Sequence, residues 1–321
     1  MAHDQQCIAV KAGHMRDGCA ILHWTFRSSI ISLATVVLLS AQAFAQTGQS
    51  AADKRMNDAA GSMSSAPRMG ELSEAQRKQL VEFVTGNVAF VLTHEMGHVI
   101  VSELGLPVLG RLEDAADAFA IVAMLNMDTD MSLRTLTEAT WGWYLSSRRN
   151  AAEGMKEQYY DAHSLSAQRA YQIVCLMVGS DPKRFDELAE RAKMPPQRRN
   201  SCLGDYSNAS WSWNKVLTPY LRGADDPQTT IGVKYGPNTE ALAVYEQSLR
   251  HTQLLESVAK RASLKYKWRA PFQLEARSCG EPNAFWNIPS RTLVLCYELA
   301  ADFAQLYREY GVNSTPLSLA P

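Results

Sequence analysis

VAFVLTHEMGHVIVSEL, residues 88–104, decides how the rest of the chain is read. Apolar side chains surround the stretch on nearly every side, which predicts a helix buried inside a domain rather than lying on its surface. Set into it is His94-Glu95-Met96-Gly97-His98. Histidines at i and i+4 project from one helix face, so both imidazoles can bind one Zn2+ ion. Glu95, one residue after the first histidine, can reach a water on that ion and act as general base. The plainer alternative is a histidine pair packed in a core. Burying two imidazoles and a carboxylate on an apolar helix is costly without a partner, however, and a metal supplies one. Chance alone gives such a motif in a chain of this size in roughly one case in a hundred. Gly97 allows close packing behind the motif.

A hydrolytic zinc site needs a third protein ligand. The extended form of the motif, with Gly at 101 and His at 104, is absent, because Val101 and Leu104 stand there. Glu103 lies about 180° around the helix from His94 and cannot share its metal. The next acidic group is Glu113-Asp114-Ala115-Ala116-Asp117, just past a turn containing Gly105 and Gly110. Glu113 and Asp117 share a helix face at i and i+4. Glu113 is the leading ligand candidate, with Asp117 placed to accept the free N–H of a ligand histidine. Asp114 and Asp117 stay open as alternatives for the ligand. An acid-rich helix start favoured by the helix dipole explains part of this charge, but not its place so soon after the histidines.

Working outward, Ser73 and Gln76 form a capping box ahead of Leu80, Phe83 and Val84, and Gly86-Asn87 is a point where that helix could break. Gly105-Leu106-Pro107 ends the central helix. Further helices are expected over 111–126, 132–147, 165–178 and 185–192, and Leu299 to Tyr310 forms a last one. Residues 223–238 read as a loop and 239–263 as helical or mixed. AFWNIPSRTLVLCYEL (284–299) reads as two short strands around Pro289-Ser290. Trp141, Trp143, Tyr144, Trp211 and Trp213 are expected in the core, and His251 on the surface. The fold class is therefore α+β and mostly α.

The N-terminus carries a different signal. Ile30 to Ser40 (IISLATVVLLS) is an apolar run behind Arg27, and Ala43-Phe44-Ala45 precedes Gln46 as a small-x-small cleavage pattern. This is the layout of a signal peptide over residues 1–45, and the run falls short of the roughly 20 residues of a spanning helix. A start at Met15 gives it a more usual length. Residues 46–70, rich in Ala, Ser, Gly and Gln, read as a flexible lead-in to one domain over 71–321. Of seven histidines, cleavage leaves His94, His98, His163 and His251, so the motif uses two of four. It also leaves Cys175, Cys202, Cys279 and Cys296, an even set that suggests disulfides in an exported protein. Pairing of neighbours, 175 with 202 and 279 with 296, is the simplest of three connectivities. With 32 basic against 33 acidic residues, nothing points to nucleic acid or an anionic membrane as partner.

The stretch GNVAFVLTHEMGHVIVSELGLPVLGRLEDAADAFA (86–120) resembles the "putative metallopeptidase" domain-of-unknown-function family of exported bacterial proteins. DAHSLSAQRAYQIVCLMVGSDP (161–182), CGEPNAFWN (279–287) and LVLCYEL (293–299) match it too. The resemblance implies a gluzincin-type zinc site on a zincin-like pair of helices, a periplasmic or secreted location and a peptide or protein substrate. Arg111-Leu112 stands where another acid is expected before Glu113. His163 is a candidate for stabilising the oxyanion of a tetrahedral intermediate. Asn283-Ala284-Phe285 is similar to the strand on which neprilysin-type zincins hold substrate backbone, although here it follows the histidines. The expected activity is zinc-dependent peptide hydrolysis. Its rivals are a non-catalytic envelope protein with a structural or partner-binding zinc, and a zinc amidase acting on cell-wall peptides. Glu95 favours the enzymes, since a purely structural site has no use for a carboxylate beside an open metal position. The oligomeric state leaves no mark in the sequence.

Overall fold

The computed structural model describes residues 54–61 and 71–312. The apolar run, its cleavage pattern and most of the lead-in lie outside the described residues. Within the lead-in, residues 54–61 form a helix (α1) that buries Met56 and Ala59 in the core. Two apolar residues three apart suffice to dock one face of so short a helix, so this part of the expected flexible segment is ordered.

The central helix α2 runs from Glu74 to Leu104. Ser73 Oγ accepts from the Gln76 backbone N–H while the Gln76 side chain accepts from the Ser73 N–H, the capping box read from the sequence. Gly86-Asn87 does not interrupt it. Gly86 marks a close approach instead, since a Cβ there would lie 2.6 Å from Cβ of Glu138. Asn87 Nδ2 donates to the carbonyls of Phe83 and Glu138 and stitches the two helices together. Gly105 ends α2 in the left-handed region, at φ 66°, where a missing Cβ removes the strain.

Against α2 pack α3 (Leu112–Met127) and α4 (Asp130–Ala152), and beyond them lie α5 (Ser166–Ser180), α6 (Pro182–Arg191) and α7 (Pro196–Leu217). Helix α7 has no counterpart in the sequence reading. Only Cys202, Trp213 and Leu217 are buried along its 22 residues, too few to leave an apolar stripe. The other half contains α8 (Ala243–Thr252), α9 (Leu254–Lys265), α10 (Tyr297–Leu306) and four strands. These are β1 (Ile231–Tyr235), β2 (Phe272–Arg277), β3 (Ala284–Asn287) and β4 (Thr292–Cys296), in the order β1-β2-β4-β3. β1, β2 and β4 are parallel, and β3 pairs antiparallel with β4 as the expected hairpin. The expected loop over 223–238 thus contains β1. That strand has one buried residue, Ile231, and owes its form to pairing with β2, some forty residues later.

Helix α2 is apolar on all sides because it serves two clusters. Val88, Leu92 and Met96 join the core against the sheet and α10, whereas Phe90 joins the core built by α3 to α7. Disulfides Cys175–Cys202 and Cys279–Cys296 tie α5 to α7 and the segment after β2 to the end of β4. Both fit an oxidising compartment. Among the described residues no helix is long and apolar enough to cross a membrane. The aromatic residues divide: Trp141 and Trp213 are buried, but Tyr144 and Trp211 are 48% and 68% exposed, against expectation. Both stand on the outward faces of helices whose buried residues include Leu145 and Trp213.

Candidate metal centre

Helices α2 and α3 form a hairpin that brings the histidine face against the acidic face. The hairpin closes because Gly97 lets the backbones meet: a Cβ there would sit 3.2 Å from Ala116 Cα and 3.2 Å from Phe119 Cδ1. With that contact made, Glu113 stands one turn away over both histidines.

Three donor atoms converge. His94 Nε2 lies 3.1 Å from His98 Nε2 and 3.1 Å from Glu113 Oε2, and His98 Nε2 lies 3.3 Å from Glu113 Oε2. Bonds of about 2.0–2.1 Å to one tetrahedral ion put neighbouring ligand atoms about 3.3–3.4 Å apart. The triangle therefore has the size of one face of such a site. His94 Nδ1 lies 2.8 Å from Asp117 Oδ1 and donates to it, which leaves Nε2 of the neutral ring with its lone pair facing the lone pairs of Glu113. That arrangement needs a cation between the donors, either a proton or a metal. The residues present thus fit a divalent metal. Among the described residues His94, His98 and Glu113 form one candidate group, and the only other contains Cys279 and Cys296, whose sulfurs are already joined.

The charges of the site respond to one another. Burial pushes the His94 imidazole down, but hydrogen bonds to Asp117 and Glu113 outweigh it and raise the group to about 9. Hydrogen bonds from His163, His94 and His98 hold the Glu113 carboxyl far below the usual range. Burial pushes the Glu95 carboxyl up, partly offset by the two ring charges beside it. Burial also pushes Asp117 up, yet His94 and Arg169 prevail and keep it below its ordinary value.

The remaining sequence candidates lie at the edge of the triangle or away from it. His163, half-exposed in the segment between α4 and α5, sets Nε2 2.9 Å from Glu113 Oε2. Asp161 accepts from the His163 backbone N–H at 2.8 Å, and the contact to Glu113 raises the imidazole. Asp114 turns aside and accepts from Ser164 Oγ at 2.6 Å, which anchors this segment to α3. Glu103 pairs with Arg291 at 2.7 Å, away from the histidines. Ala284 opens β3, with Asn283 just before it, and β3 is an edge strand that packs against α2. Asn283 Oδ1 accepts from the Ala284 N–H. His251 is exposed.

Arg169 did not emerge from the sequence, and Trp143 was expected only as a core aromatic; it is partly buried. Arg169 Nε and Nη2 each donate to Asp117 at 2.7 Å, and the Trp143 ring lies 3.6 Å from the guanidinium carbon. The available signal was an arginine directly before the mostly apolar stretch AYQIVCLMV (170–178).

A family model described as "Putative metallopeptidase" matches residues 36–217 and 235–319. No curated protein and no solved structure matches the chain.

Proposed function

The chain belongs to the family described as "Putative metallopeptidase", and on that premise we propose that it is an exported, zinc-dependent peptidase with a zincin-like pair of helices. The observation that carries this reading is the triangle of His94 Nε2, His98 Nε2 and Glu113 Oε2 with Glu95 on the same helix turn. When bound, zinc supplies a Lewis acid that makes water acidic near neutrality.

The protein residues do the rest. Glu95 takes a proton from the attacking water and returns it to the leaving amine, a role suited to a carboxyl raised by burial. Asp117 fixes the ring of His94 through Nδ1. His163, half-exposed beside Glu113, is the donor that meets the oxyanion of the tetrahedral intermediate. The outer edge of β3 pairs with no strand among the described residues, and an extended peptide can add there by backbone hydrogen bonds, starting at Asn283 and Ala284. The two disulfides support a periplasmic or secreted location.

The test is metal analysis of gently purified mature protein, with cleavage of a broad peptide library by wild type and Glu95→Gln. Zinc in both proteins, with cleavage by wild type only, is the expected result. Zinc in both with no cleavage by either favours the binding protein. Cleavage confined to cell-wall peptides favours the amidase. A wild type without metal overturns the zinc reading.

A further inference from the structure

We infer that Arg169, held by Trp143, is a positioning residue that sets the geometry of the metal site through Asp117. The inference rests on the reading of His94, His98 and Glu113 as metal ligands.

Four helices contribute one side chain each to a continuous chain of contacts: Trp143 on α4, Arg169 on α5, Asp117 on α3 and His94 on α2. Arg169 and Asp117 are 7% and 3% exposed, so water contributes little to holding either charge. A buried carboxylate fixed by a single hydrogen bond can still rotate about its last torsion. Here the guanidinium grips both oxygens, Nε on Oδ2 and Nη2 on Oδ1. Such a planar fork fixes the plane of the carboxylate as well as its place. Oδ1 is thereby aimed at His94 Nδ1, and the ring that accepts this aim directs Nε2 toward His98 and Glu113. Trp143 stacks on one face of the guanidinium, 3.6 Å away, and limits the rotation of the arginine, as cation–π stacking does. Arg169 reaches the donor triangle by way of Asp117, which makes its role positional rather than catalytic.

The chemistry predicts that charge alone is insufficient. Lysine keeps the positive charge but offers a point donor where the fork has two parallel ones. The experiment measures zinc affinity by chelator competition in the full mature protein for wild type, Arg169→Lys, Arg169→Met, Trp143→Leu and His94→Ala. Cobalt-substituted samples give the visible spectrum of the site, and circular dichroism reports the fold. Arg169→Lys should lose roughly 10-fold in zinc affinity and Arg169→Met roughly 100-fold, the range for residues that orient metal ligands. Trp143→Leu should shift the cobalt spectrum in the same direction with a smaller affinity loss. Should Arg169→Met fail to fold, Arg169→Lys and Trp143→Leu decide. Wild-type affinity and an unchanged cobalt spectrum in a folded Arg169→Lys overturn the inference while leaving the metal site intact. A wild type that binds no zinc, or a His94→Ala variant that binds it equally well, overturns the site itself and the inference with it.

Discussion

The two ends of α2 bury carboxyl groups in opposite ways. Toward its C-terminus His94, Glu95 and Glu103 are all buried. His94 meets Asp117 and Glu113, and Glu103 meets Arg291. Toward its N-terminus, α2 passes close to Glu138 of α4 at Gly86. Glu138 Oε2 is buried without a hydrogen-bond partner, and burial together with the nearby Glu82 pushes its carboxyl up to about 8. One end has partners for His94 and Glu103, and the other holds a buried carboxyl oxygen without one. Burial of an acid is thus common to both ends. Convergence of donor atoms on one point belongs only to the end with the histidines.

The largest expected effect sharpens that contrast at the reactive end. Glu95→Gln should lower peptide cleavage by roughly 10²- to 10⁴-fold, the span of general acid–base catalysis, with zinc content unchanged. Loss of zinc in this variant would instead make Glu95 part of the binding set. His163→Ala should lower turnover by roughly 10²-fold or more, as removal of an oxyanion donor does, while substrate affinity changes little. Unaltered turnover in steady-state kinetics removes His163 from the mechanism. Asp117→Asn should weaken zinc binding by roughly 10- to 100-fold in chelator competition. A far larger loss there, with Glu113→Gln nearly silent, exchanges the roles given to these two acids.

The smallest effect breaks the comparison at the other end and has the opposite sign. The folded-state value of Glu138 lies above that of the unfolded chain, near 4.5. Between these two values the folded protein holds a proton that the unfolded chain has released, so stability falls as pH rises from about 4.5 to about 8. Glu138→Gln should therefore match wild type in thermal melts near pH 4.5 and exceed it by about 1–3 kcal/mol at pH 8. Equal melting temperatures at both pH values show that the carboxyl is already satisfied.

Legibility in the sequence follows the range over which each feature is determined. The capping box at Ser73, the stop at Gly105 and the histidine pair at i and i+4 depend on neighbours within one or two turns, and all were readable. The hairpin around Pro289-Ser290 was readable for the same reason. β1 and β2 pair in parallel across the whole of α8 and α9, and no local signal reports that pairing. β2 does alternate, with Phe272, Leu274 and Ala276 inward, but six residues of alternation next to long helices are a faint mark. Arg169 was invisible for a further reason: its meaning comes from Asp117, 52 positions earlier, and from a tryptophan on a third helix.

The three converging donors come from a short piece of chain, His94 and Glu113 being 19 positions apart. Closing so short a loop costs little entropy, and helical hairpins with local contacts form faster than sheets with distant partners. The pocket is therefore accessible early in folding, from the α2–α3 hairpin alone. Its rigidity draws on distant parts of the chain: α5 supplies Arg169, and the bond from Cys175 to Cys202 fixes that helix against α7.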